Sequence, residues 1–367
     1  MTPSPGVPHE RSVAAIGGSP GLSSFAPWRH RLSVLLVAST LALIFVGGLV
    51  TSTGSGLSVP DWPLSYGMVM PPMVGGVFYE HGHRMVASGV GFLTLVLAVW
   101  TARAEGRATL RRLAWGALTA VIAQGVLGGL TVIYLLPTPI SVTHACLAQA
   151  FFCMTIALAY LTSREWLAAT PAREDRARVR SAAVAATAAV FGQLVLGAIM
   201  RHIGAGLAVP DFPRMYGRWI PPAEILEQAP VAVHLAHRAG ALVVLAFVLR
   251  LALRASRDHD LRLARPAQIA LGLVFVQIGL GALAVLTGKA VLPTTAHVAT
   301  GAAILGLCWF TTLRTRRHLR APAPAPAVAA LGDPAVSRAP PRPSSSRAAP
   351  PPPTTSSSPS RASRSPW

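Results

Sequence analysis

The chain has 367 residues, of which 52% are hydrophobic and only 12% are charged. Soluble domains carry about 25% charged residues, so this balance excludes an ordinary soluble domain. The formal net charge of +19 does not mark a nucleic-acid binder, because the basic residues sit mostly in short segments between apolar runs and in the tail, where membrane topology signals belong.

Residues 1–28 are rich in Pro, Gly and Ser, show no cleavable signal peptide, and read as a disordered N-terminal segment. Eight apolar runs follow, and they predict membrane-spanning helices at 32–52, 79–102, 112–133, 139–162, 181–202, 231–253, 266–287 and 294–313. Arginines mark alternate connections: Arg29 and Arg31 before the first span, Arg103, Arg107, Arg111 and Arg112 after the second, Arg164, Arg173, Arg176, Arg178 and Arg180 after the fourth. The pattern continues with Arg254, Arg257, Arg262 and Arg265 after the sixth and Arg314, Arg316, Arg317 and Arg320 after the eighth. This bias places both termini in the cytoplasm of a multi-pass cell-membrane protein and the long 53–78 and 203–230 loops outside. Cys146, Cys153 and Cys308 all fall inside apolar runs with no C-x-x-C, which gives neither a thiolate metal site nor a loop disulfide. The Pro/Ser/Arg-rich segment 316–367 reads as a disordered tail.

An internal repeat sets the expected architecture. GSGLSVPDWPLSYG at 54–67 returns as GAGLAVPDFPRMYG at 204–217, GHRMVASGV at 82–90 as AHRAGALVV at 236–244, and QGVLGGLTV at 124–132 as QIGLGALAV at 277–285. The expectation is an all-α membrane protein of two tandem, pseudo-symmetric four-helix bundles, 29–163 and 181–315, joined by a cytoplasmic linker at 164–180. Four spans per unit give both the same orientation, a parallel repeat about an axis near the membrane normal.

Four of the eleven histidines occupy repeat-equivalent places: His83 with His237, and His144 with His297. Each lies about four residues into an even-numbered span, about 6 Å of rise below its outer end. Two parallel helices with histidines at equal depth set two imidazoles across a shared gap, which suits a haem ligated from both faces. Arg84 and Arg238 directly follow two of these histidines and fit haem propionates, since a guanidinium meets a carboxylate bidentately. His81 and His234 lie beside them without an assigned role, and His9, His30, His202, His259 and His318 read as ordinary residues of loops, tails and span ends.

Glu80 breaks the symmetry. It stands three residues before His83, hence on the same helix face, where the second repeat has His234. An ionisable group near bilayer depth is costly, so either chemistry in the first unit or an ion pair with Arg84 explains it. The loop motif with Asp61 and Asp211, Trp62 and Phe212, and Tyr66 and Tyr216 reads as a rigid lid over each bundle. Gln124 to Gly128 and Gln277 to Gly281 read as close helix packing.

Together EHGHR at 80–84, the four histidines, the eight spans and the loop TSTGSGLSVPDWPLSYG at 51–67 resemble the heme A synthase family over residues 30–315. The resemblance implies an oxidoreductase that converts a ring methyl of heme O to the formyl group of heme A. It implies that His83 and His144 flank the substrate heme O with Glu80 as the catalytic residue, and that His237 and His297 hold a heme b that relays electrons. It further implies the lipid bilayer, a heme O producing enzyme and cytochrome oxidase assembly factors as partners, with no nucleic acid. Some family members carry a cysteine pair in the first outer loop; Ser58 and Ser65 stand at the like-spaced positions here, so that loop is held in another way. A diheme b-type electron carrier explains the four histidines but not the one-sided Glu80, and a parallel-repeat transporter explains the duplication but not the matched depth.

Overall fold

The computed structural model describes residues 25–171, 176–258 and 260–319. Eight helices in it are long and apolar enough to cross a membrane. In chain order the helices are α1 (Pro27–Ser52), α2 (Gly76–Ala104), α3 (Ala108–Ile133), α4 (Thr138–Leu161), the short α5 (Arg164–Ala168), α6 (Ala177–His202), the short α7 (Ala223–Leu226), α8 (Ala229–Arg257), α9 (Leu261–Leu286) and α10 (Val291–Arg314). Every expected span falls on one helix to within a residue at either end, and most helices run several residues past the apolar run. Beyond the helices lies one small antiparallel pair, β1 (Ala169–Pro171) with β2 (Arg317–Leu319). It joins the start of the expected tail to the connection after α4. Of the expected disordered segments 1–28 and 316–367, residues 1–24 and 320–367 lie outside the described residues, as do Arg173, His9 and His259, while 27–28 open α1 and 317–319 form β2.

In the first half α1 packs on α2 and α4, α2 on α3, and α3 on α4, closing a ring of four helices. α6, α8, α9 and α10 close a second ring in the same manner, and α1, α4, α6 and α10 meet along the seam between the two. Leu36, Val90, Leu97, Leu110, Phe151 and Leu158 are buried in the first ring, and Val190, Val248, Leu251, Val274, Ile304 and Leu305 in the second. Along the seam, a Cβ on Gly306 of α10 meets Ile156 at 2.9 Å and Phe152 at 3.0 Å, so the missing side chain lets α4 and α10 approach. Trp309 Nε1 donates across the same seam to the Cys153 carbonyl at 2.8 Å.

At the arginine-rich end both rings are tied by one device. Glu105, just after α2, accepts from Arg29 at 2.8 Å and Arg107 at 2.9 Å, and its side chain is fully shielded from water. Asp260, which caps α9, accepts from Arg176 and from Arg262, each at 2.9 Å. These carboxylates draw together the ends of neighbouring helices while the same arginines satisfy carbonyls that helix ends leave open. Arg29 donates to Ala104 O at 3.4 Å and Arg107 to Leu161 O at 3.0 Å. Pro266 lies inside α9 and has no N–H for the carbonyl four residues back, that of Arg262. Arg314 supplies the missing donor at 2.7 Å, which explains why the helix starts before its proline.

Burial pushes the Glu105 carboxyl up, but hydrogen bonds from Arg107 and the charges of Arg107 and Arg29 outweigh it and bring the group down to about 2. A depressed folded value means stability that is fully present above the ordinary carboxylate range and is lost as pH falls through about 2. Glu105→Gln is expected to remove about 3 kcal/mol at neutral pH by leaving Arg29 buried without its counter-charge. Thermal unfolding in detergent at several pH values checks it: the variant melts lower at pH 7, and the gap to the parent narrows as acid is added.

Candidate functional site

At the opposite end each ring is covered by a loop, 53–75 over the first and 203–222 over the second, and the two loops are built alike. Asp61 accepts from the Tyr66 N–H at 2.6 Å and the Gly67 N–H at 2.8 Å; Asp211 accepts from Tyr216 at 2.8 Å and Gly217 at 2.7 Å. These bonds hold Tyr66 at φ 54° and Tyr216 at φ 55°, a left-handed conformation that costs a non-glycine residue of order 1 kcal/mol. The tyrosine hydroxyls reach back across each loop, Tyr66 to Ser58 O at 2.5 Å and Tyr216 to Ala208 O. Trp62 lies directly on Gly129 of α3, where a Cβ has no room. The corresponding residues in the second loop and in α9 are the smaller Phe212 and the larger Ala282.

Arg84 and Arg238 hold these loops down. Arg84 donates to Asp61 O at 2.8 Å and Leu64 O at 2.9 Å, and Arg238 to Asp211 O at 2.6 Å, Val209 O at 3.0 Å and Arg214 O at 3.1 Å. Ser65, at one of the positions where a cysteine pair was considered, bonds His81 Nδ1 at 2.8 Å. The loop is thus fastened by Asp61, Tyr66, Arg84 and the Ser65–His81 contact in place of a disulfide.

Glu80 is buried and engaged at both oxygens. Arg84 donates to Oε1 at 2.7 Å, and the N–H of Val59 donates to Oε2 at 2.9 Å. In the second loop His234 Nδ1 lies 3.3 Å from the Val209 nitrogen and 3.1 Å from the Ala205 carbonyl oxygen, so it accepts from the first or donates to the second according to its tautomer. Val59 and Val209 are both fully buried, and Glu80 and His234 stand beside the same backbone N–H in the two loops.

The four repeat-matched histidines sit on four glycines. A Cβ on Gly47 of α1 meets His83 Cε1 at 3.1 Å, one on Gly128 of α3 meets His144 at 3.4 Å, and ones on Gly197 of α6 and Gly281 of α9 meet His237 and His297 at 3.0 Å. The expected close packing at Gly128 and Gly281 is therefore a seat for an imidazole. In the second ring the His237 and His297 rings stand 6.3 Å apart, centroid to centroid, with planes 59° apart. Gln193 contacts His237 twice, its amide nitrogen lying 3.1 Å from Nδ1 and donating to the His237 carbonyl at 2.7 Å. His297 Nδ1 donates to the Gln277 carbonyl at 3.0 Å, which leaves Nε2 with the free lone pair that a metal needs. In the first ring Leu43 occupies the place of Gln193, and Nδ1 of His83 and of His144 is buried without a hydrogen-bond partner.

This donor set fits haem. An iron with an imidazole nitrogen about 2 Å away on each face sets two ring centroids about 6 Å apart. Among the described residues no group of three or more His, Cys, Asp or Glu gathers to hold a bare metal ion. Two imidazoles suffice where a macrocycle brings its own four nitrogens.

The model of the cytochrome oxidase assembly protein family matches residues 30–76 and 74–309. The chain belongs to that family. Among curated relatives, a protein named Heme A synthase from Symbiobacterium thermophilum is 33% identical over 268 residues, 69% of this chain and 84% of the relative. One of the same name from Halalkalibacterium halodurans is 30% identical over 301 residues, 77% and 95% of the two chains, and one from Geobacillus kaustophilus is 28% identical over 301 residues, 78% and 92%.

Within this family member, His30 bonds Thr162 at 3.2 Å at the arginine end, far in sequence and role from the four paired histidines. Gln193 and the Trp62–Gly129 contact escape a reading for repeated residues because neither recurs as the same pair. The Asp61 carboxyl is held below the usual carboxylate range, chiefly by the Gly67 N–H and also by that of Tyr66, against a smaller opposing effect of burial. The loop is accordingly expected to stay closed from neutral pH down through the ordinary carboxylate range and to loosen only in stronger acid. Asp61→Ala is expected to speed limited proteolysis within 53–75 at pH 7 several-fold while leaving the 203–222 loop as resistant as before, with cleavage sites read by mass analysis.

Proposed function

We infer that this multi-pass membrane protein is a heme A synthase that oxidises heme O. The family membership and two glycine-seated histidine pairs support that reading. We assign residues 29–163 to the substrate unit and 181–315 to the cofactor unit. Both termini then lie on the cytoplasmic side of the cell membrane, and the two loops face outward.

In this assignment His83 and His144 hold the substrate heme O, and His237 and His297 hold a resident heme b. When bound there, heme b supplies one-electron transfer. The difference between the two histidine pairs supports the division. His297, whose Nδ1–H donates to the Gln277 carbonyl, is fixed in orientation and is the stronger donor, which suits a group that stays. His83, whose Nδ1 is unpartnered, suits one that must leave after reaction.

Glu80 carries the chemistry of the first unit. Its carboxylate is fixed by Arg84 and by the Val59 N–H, so negative charge is already in place on the face of α2 that holds His83. There it stabilises positive charge that develops at the ring methyl and accepts the proton released as the methyl is oxidised. Two successive two-electron oxidations, each adding one hydroxyl at the expense of an external oxidant, would take the methyl to a gem-diol, and loss of water would give the formyl group. Arg84 has N–H groups beyond those used on the loop and on Glu80, and Arg238 beyond those used on its loop; these donors face propionates. A heme O producing enzyme and cytochrome oxidase assembly factors are the partners that this product and substrate call for.

Haem extraction and mass analysis from cells that make heme O, with and without this chain, test the reading. Heme A appears only with the chain. Glu80→Gln, which keeps an acceptor for the Val59 N–H but removes the charge, lowers heme A at least about 100-fold with haem content retained. Undiminished heme A in that variant removes Glu80 from the chemistry. Heme b alone, with no heme A under aeration, turns the assignment to an electron-carrying cytochrome.

A further inference from the structure

Arg201 is four residues, one helical turn, beyond Gly197, the seat of His237, so it shares the histidine-bearing face of α6 and lies toward the loop end. Its Nη2 donates across the seam to two atoms of α1, Gly48 O at 3.2 Å and Ser52 Oγ at 3.1 Å. Thr295 of α10, fully buried and two residues before His297, donates to the same Ser52 Oγ at 3.1 Å. Ser52 Oγ therefore accepts twice, and its own O–H remains to donate.

Among the described residues no carboxylate lies within ion-pair distance of Arg201, whereas seven such pairs form elsewhere in the chain. A guanidinium set among helix ends with only neutral acceptors is costly until an anion joins it. Arg201 is also within electrostatic reach of His297. The first unit has no counterpart: four residues beyond Gly47 stands Thr51, which bonds its own helix at Gly47 O at 3.3 Å.

We propose that Arg201 and the Ser52 hydroxyl bind a propionate carboxylate of the haem held by His237 and His297, so that the second site retains its cofactor through a contact the first site lacks. This rests on the haem assignment above and adds a recognition residue to it. Arg238, beside His237, gives the loop carbonyls three of its hydrogen bonds, and Arg201 on α6 supplies a second guanidinium that engages no loop carbonyl among the described residues. Because α1 belongs to the first ring and α6 and α10 to the second, a bound propionate also ties the seam.

The test uses the full chain in detergent, depleted of haem and carrying His83→Ala so that only the second site is bis-ligated. Protohaem and its dimethyl ester, whose propionates are uncharged, are titrated by absorbance. Protohaem is expected to bind at least about tenfold tighter than the ester. Arg201→Gln removes most of that preference by weakening protohaem alone, and Arg201→Lys, with its charge kept but its fork lost, retains part of it. Equal weakening of both forms by Arg201→Gln, or no preference in the parent chain, overturns the proposal by leaving Arg201 a structural residue of the seam. If neither form binds the parent chain, the haem assignment itself fails.

Discussion

An imidazole needs room where two membrane helices are already in contact. Four glycines supply it, each on the helix that precedes its histidine, and each with 3.0–3.4 Å between a would-be Cβ and the ring. Alanine at Gly47, Gly197 or Gly281 pushes against Cε1 of a ring that has little slack, and at Gly128 it comes into contact with it. The rest of the fold serves to keep this spacing: seam glycines and buried apolar side chains set the helix separations, and the two ends are clamped so that the gap between paired imidazoles neither closes nor splays.

The clamps differ in kind because the ends differ in surroundings. At the arginine end the tie is electrostatic, one shielded carboxylate between two guanidiniums in each ring, with the surplus N–H groups covering helix carbonyls. At the loop end the tie is made of backbone hydrogen bonds, because Asp61, Asp211, Arg84 and Arg238 all bind main-chain groups. A loop fastened through its own backbone keeps its shape whichever side chains line it, which explains how the first loop manages with Ser58 and Ser65.

The spans were legible in the length of their apolar runs, and the like-built loops and glycine-seated histidines in side-chain types that recur at a fixed offset. What stayed hidden is what side-chain identity does not encode. The Val59 and Val209 N–H groups carry no letter, and the side chains beside them, Glu80 and His234, look unrelated until the shared position is seen. Leu136 and Lys289 likewise look unlike, yet both adopt positive φ and rest on a loop glycine, Gly56 or Gly206. The clasp at Glu105 and Asp260 was hidden in segments read for orientation alone, where arginines counted as topology signals and not as ligands. Helix ends extended past the apolar runs because polar side chains, Asp260 and Arg314 above all, satisfy backbone groups that hydropathy ignores.

Three departures from symmetry bear on the sites proposed above. Relative to the first ring, the second gains Gln193 in place of Leu43 and Arg201 in place of Thr51, and it loses the acid at Glu80 to His234. Of the two gains, Gln193 ties the His237 backbone by donating to its carbonyl, and Arg201, as proposed, adds a contact to one propionate. The loss removes the group suited to chemistry. For a site that turns over, tight binding of the ground state lowers the benefit of any interaction reserved for the transition state, so the site proposed for the substrate would do better without the propionate contact. For a site that relays electrons, the cofactor must remain, and each added contact slows its escape. Three differences around like pairs of glycine-seated histidines would thus suit the two sites to the different roles proposed.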